Sequence, residues 1–150
     1  MMRGICLIAL AAIVSATWPS AAQDSGLERI TAIQEMTQRA RKALDFAAAR
    51  LEAAAKAYGA DEVESGRKAL DEVGAAVELA VESLEATGKH PRRNPRHFKN
   101  AEIRTRRLLR QIRQLRQSAH MADHPDIDRL IERVEEGNSK LLLGIMSPKG

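Results

Sequence analysis

The side chains of this sequence that could do chemistry fall into two clusters. Lys89, His90, Arg92, Arg93, Arg96 and His97 crowd one stretch, and His120, Asp123, His124 and Asp126 another. Asn94-Pro95 reads as an N-cap followed by a first-turn proline. That places Arg92, Arg93 and Arg96 at the positive end of a helix, where cations are unfavourable unless an anion joins them. Backbone N–H groups with converging arginines suit a phosphate, sulfate or carboxylate. His97 shares the cluster, and Ile103 points off the apolar seam of the same helix into its basic face. Lys89 and His90 are accounted for by the negative end of the helix before them. The plainer alternative for the whole cluster is a solvated basic loop.

His120, Asp123, His124 and Asp126 are metal-ligand types at close spacing, and a divalent ion could use them. Against this, Asp123 and Asp126 also fit the start of a helix, and the cluster has no ligand pair at i and i+4 on one helix. Other chemistry finds little support. The only cysteine is Cys6, so c-type haem attachment has no motif downstream. A b-type haem between helices would want a Met on the first and a His on the last, and 125–150 contain no His. Gly-x-Ser-x-Gly is absent as well. The expectation is a protein that binds rather than catalyses, with no cofactor.

The elements that position these residues begin after a leader. Met1-Met2-Arg3 is a short positive start, 5–14 is apolar, Trp18-Pro19 breaks the run, and Ser20-Ala21-Ala22 offers small residues for a signal peptidase. The run is short for a bilayer span, although a retained anchor is the rival reading. Bulky Ile5 before Cys6 argues against a lipoprotein. Cleavage between Ala22 and Gln23 is expected, with export to the periplasm or beyond and no membrane span in the mature chain. Removing Arg3 with the leader leaves 23 basic against 20 acidic residues, and no cysteine, so stability must come from packing.

At 150 residues, with 44% hydrophobic and 3% aromatic content, the chain suits one Ala- and Leu-rich helical domain over 23–150 and not a β-sandwich. Punctuation divides it into helices over about 25–58, 61–87, 95–121 and 125–146, with capping boxes at Ser25/Glu28, Asp61/Glu64 and, more weakly, Asp123/Asp126. Each segment carries apolar residues at three- and four-residue spacing, large ones alternating with Ala or Gly. An antiparallel up-down bundle follows, or three helices with the fourth splayed at Gly137-Asn138.

Between Lys89 and Arg116 stand eleven Lys or Arg and one acid, Glu102. Heptad spacing suggests that the second helix neutralises much of this. Folding the second and third helices together sets Glu85 against Lys99, Glu78 against Arg106 and Asp71 against Arg113, with Leu109 over Gly74. The paucity of aromatic platforms and the export signal both argue against nucleic acid. An envelope protein or an anionic envelope component is the expected partner.

Two resemblances accompany these residues. The stretch 82–102, ESLEATGKHPRRNPRHFKNAE, resembles a segment of small exported all-helical bacterial proteins of unassigned function, which implies an envelope location and no particular site. Ile30-Thr31-Ala32-Ile33-Gln34 is similar to the Leu-Thr-x-x-Gln motif that periplasmic helical stress chaperones carry at helix starts, which implies a chaperone-like alternative. The leader yields the first test. Mass spectrometry of the exported protein should find Gln23 at its N-terminus, and retention of 1–22 would indicate an anchored protein instead.

Overall fold

A computed structural model describes residues 26–147; the leader and its cleavage site lie outside the described residues. The described residues form α1 (Gly26–Thr31), α2 (Met36–Gly59), α3 (Val63–Glu85), α4 (Pro95–Ser118) and α5 (His124–Met146), with a single 3-10 turn, Met121–Asp123, before α5. The all-α bundle expected from periodicity is present, and α2 to α5 alternate in direction around one apolar core.

The first predicted helix is two. Ile30, Thr31 and Ile33 are β-branched and weak helix formers, and Glu35 ends the continuity by capping α2. Its carboxylate accepts from the backbone N–H groups of Thr37, at 3.0 Å, and Gln38, and from the Thr37 hydroxyl. Arg39 reaches back to donate to the Ile33 carbonyl at 2.7 Å. The short α1 then lies against α2, where a Cβ on Gly26 would sit 2.9 Å from the Phe46 ring.

Two predicted capping boxes also resolve differently. Asp61 takes a left-handed conformation, φ 58°, in the α2–α3 turn, and α3 starts at Val63 with no side-chain cap. Asp123 precedes α5 without a capping bond, and Asp126 spends its carboxylate on arginines. Ser25 lies outside the described residues. Gly88, φ 64°, turns the chain after α3, as a residue without a Cβ can.

α3 is the most enclosed helix. Gly66, Leu70, Val73, Gly74, Val77, Ala80, Val81 and Leu84 are all buried, against α2 on one side and α5 on the other. Its glycines permit the approach. The Tyr58 ring covers Gly66, the Arg133 guanidinium lies where a Cβ on Gly74 would be, and Gly137 of α5 brings its backbone to Val77. The fourth predicted helix is therefore not splayed: Ile127, Leu130, Val134, Gly137 and Leu141 are buried.

Going round the bundle, the order is α2, α3, α5, α4, and each lateral boundary carries an ion pair. Arg50 meets Glu72 between α2 and α3. Between α3 and α5, Arg67 meets Asp126 at 2.6 Å and Arg133 meets Glu78 at 2.8 Å. Arg113 meets Glu135 at 2.5 Å, and Arg116 meets Asp128, between α4 and α5. Arg104 meets Asp45 at 2.5 Å between α4 and α2. Since chain direction alternates, α2/α4 and α3/α5 are parallel neighbours.

This corrects the expected register. α3 and α4 face each other across the bundle diagonal, so Glu78 is held by Arg133, Arg106 by the buried Glu102 of its own helix at 2.5 Å, and Arg113 by Glu135. Gly74 receives Arg133, not Leu109. The expectation assumed that consecutive helices lie side by side. Residues 86–94 can reach roughly 30 Å when extended, ample for crossing a bundle end. Packing decides the matter energetically. Burying one large aliphatic side chain such as Ile112 or Ile127 is worth about 1.5–3 kcal/mol, against about 0–1 for an exposed ion pair.

The consequence is measurable in a double-mutant cycle. Glu78→Lys should destabilise the fold modestly, and Arg133→Glu should restore part of the loss, because Asp71 also faces residue 133 at 3.9 Å, with a coupling of about 0.3–1 kcal/mol that fades with salt. Arg106→Glu should restore none of it.

Candidate functional site

The basic cluster is divided by the fold. Because α2 and α4 are parallel neighbours, their N-terminal turns lie side by side at the pole where α3 ends. A groove of about 580 Å³ opens between them. Ala40 and Leu44 of α2, Leu84 of α3 and Ala101 of α4 supply apolar lining. Arg41 enters from α2, and Arg96, His97 and the half-exposed Ile103 from α4. Three of the five residues singled out in the sequence thus share one concave site.

Arg92 and Arg93 do not line it. The Arg92 guanidinium donates to the Ser147 carbonyl at the end of α5, 3.1 Å away, and its backbone N–H donates to His90 Nδ1. Arg93 is exposed on the same loop. The end of α4 does not hold these arginines alike. The turn at 91–94 separates those before Pro95 from those on the helix itself.

The groove's electrostatics are one-sided. Among the described residues, the side chains of Arg41, Arg96 and His97 have no hydrogen-bonding or ionic partner. Arg104 is pinned instead, donating to Asp45 at 2.5 Å and to the Arg41 carbonyl at 3.3 Å. One carboxylate lines the groove, Glu35, and it is spent on the α2 cap. The Thr37 hydroxyl, followed by the backbone donors, holds its carboxyl below the usual range. α4 is different: Asn94 makes no side-chain cap bond, and no acid stands in the first turn. Its end carries positive helix dipole and unfilled N–H groups beside two arginines. Such a concave, partly apolar site with a few convergent cations can hold an anionic group through charge-assisted hydrogen bonds.

Arg41 was missed in the sequence. Asp45 stands four residues on and is its natural partner in sequence, but the structure gives that carboxylate to Arg104, and the groove neighbours of Arg41 arise only because α2 lies beside α4. The motif at 30–34 lies across the end of α1 and the turn after it, with the Thr31 hydroxyl donating to the Leu27 carbonyl at 3.0 Å.

The proposed metal ligands lie at the opposite pole and are not assembled as one set. His120 Nε2 stands 3.5 Å from Asp61 Oδ1, both side chains exposed. Asp126 is taken by Arg67 and Arg129, at 2.6 and 3.0 Å. Asp123 is buried and His124 half-buried at the start of α5. Among the described residues no three His, Cys, Asp or Glu side chains are grouped to hold a metal ion. Arginines have claimed Asp126, one of the two carboxylates of that cluster.

Tyr58, the only tyrosine, is buried at this pole, its hydroxyl without a partner among the described residues. Burial first, and then the charges of Asp123 and Asp126, push its pKa from 10.0 up to about 12. The folded protein therefore holds the phenol neutral where the unfolded chain would ionise. Its contribution to stability should be complete below pH 10 and disappear as pH climbs toward 12. Ultraviolet titration of the phenolate should show a midpoint near 12 in the native protein and near 10 in denaturant. Equal midpoints would place the ring in water.

Comparison with family models, with curated proteins and with solved structures found no match, so the chemistry of the groove rests on this chain's own residues.

Proposed function

We propose that this chain is an exported, non-enzymatic binding protein of the cell envelope, and that the groove between α2 and α4 holds an anionic group of its ligand or partner. One observation carries the reading: Arg41, Arg96 and His97 converge from two parallel helices on an apolar-lined groove whose single carboxylate is already engaged. A group that bound there would gain charge-assisted hydrogen bonds, and an attached hydrocarbon could cover Leu44, Ala101 and Ile103. The leader supports the location, since a positive start, an apolar run and small residues at 20–22 form the pattern that export machinery reads.

Isothermal titration with octyl phosphate, and with inorganic phosphate as the headgroup alone, tests the proposal. Octyl phosphate should bind more tightly than phosphate, because only it can use the apolar lining. Arg41→Ala and Arg96→Ala should each weaken binding about tenfold, as expected for loss of one hydrogen bond to a charged group. Arg92→Ala together with Arg93→Ala should leave it unchanged, since those side chains lie outside the groove. Equal weakening by the loop variants would move the site to the loop, and no binding of either ligand would remove the proposal.

A further inference from the structure

The last two turns of α5 present a second feature, separate from the groove. Leu142, Leu143 and Met146 are 39, 65 and 67% exposed, although Leu141 beside them is buried. Single exposed leucines are ordinary on protein surfaces, but three large apolar side chains within two turns form a patch. The α3–α4 loop is held against this end of α5. A Cβ on Gly144 would sit 3.2 Å from the Pro91 ring, and Arg92 donates to the Ser147 carbonyl at 3.1 Å.

That contact sets the patch beside Arg92, with Lys89 and Arg93 exposed on the same loop. Residues 86–101 contain no Asp or Glu, and neither does the chain from 137 onward. At the opposite pole, by contrast, Arg67, Arg116 and Arg129 are matched by Asp126 and Asp128. The α3–α4 loop and the end of α5 thus bring apolar and cationic side chains together, whereas these arginines at the other pole are paired. Aliphatic and thioether side chains ringed by Lys and Arg suit the boundary between acyl chains and anionic headgroups. No helix among the described residues is long and apolar enough to cross a membrane, so this is a contact with one surface.

We infer that this end of the bundle docks on an anionic lipid surface, with Leu142, Leu143 and Met146 entering the acyl boundary and Lys89, Arg92 and Arg93 meeting headgroup phosphates. The patch, not a groove, makes the contact, and the long axis of the bundle stands away from the surface.

Two methionines provide an internal comparison. Met146 lies in the patch, while Met121, 83% exposed, lies at the opposite pole. The full chain is treated briefly with peroxide, alone or with phosphatidylcholine vesicles with and without phosphatidylglycerol, and sulfoxide is quantified at each methionine by mass spectrometry. Phosphatidylglycerol vesicles should slow oxidation of Met146 several-fold and leave Met121 unchanged. Lys89→Glu with Arg93→Glu, both exposed positions, should abolish that protection without altering the helical spectrum. Unchanged Met146 oxidation would overturn the inference. So would equal protection by neutral vesicles, protection of Met121 to the same extent, or protection that survives the Glu variant. Slower Met146 oxidation at higher protein concentration without vesicles would assign the patch to a second copy of this chain instead.

Discussion

The close approach of α5 to α3 decides which helices in this protein are neighbours. It depends on Gly74, whose missing side chain leaves room for the Arg133 guanidinium, and on Gly137, which brings the α5 backbone against Val77. With α5 and α2 occupying the two sides of α3, α4 is left to the diagonal and must find its contacts on α2 and α5. Two parallel N-terminal ends then meet at one pole, and the groove between them is a consequence of that seating. Neither α2 nor α4 alone carries the site.

The same seating distributes the charge. Arginines along the boundaries are consumed by carboxylates on adjacent helices, and Arg106 by the buried Glu102. Among the cations left over, a group stands at the pole where α3 ends, because the chain from 86 to 101 carries bases without acids. There they divide into the set that lines the groove, Arg96 and His97 with Arg41, and the loop set beside the end of α5. Both proposed contacts with anionic groups therefore fall at the same end of the bundle.

The helical class and most helix limits were legible in the sequence, because apolar spacing and Pro/Gly punctuation are local signals. The break at 32–35 was not, since Glu is a poor predictor of an N-cap and the apolar period runs straight through it. Helix adjacency was misread for a different reason. Heptad charges on α3 and α4 suggested an agreeable register, but weak exposed pairs can be drawn between many helix faces, whereas the fit of Arg133 over Gly74 needs the tertiary structure. Arg96, His97 and Ile103, which lie along the groove, stood out because a basic helix start and an isoleucine off the apolar seam are local features. Arg41 was not, because its role arises from a neighbour more than fifty residues away.

Cross-linking tests the central arrangement most directly. In a chain carrying Cys6→Ser, cysteines are placed at Asp45 and Arg104, or alternatively at Glu78 and Arg106, and each pair is treated with a short bifunctional thiol cross-linker, whose span replaces that of the arginine side chain. Side-by-side α2 and α4, with α3 diagonal to α4, predict rapid intramolecular cross-linking for Asp45→Cys with Arg104→Cys and none for Glu78→Cys with Arg106→Cys. The reverse pattern would place α3 beside α4, dissolve the groove, and contradict the account.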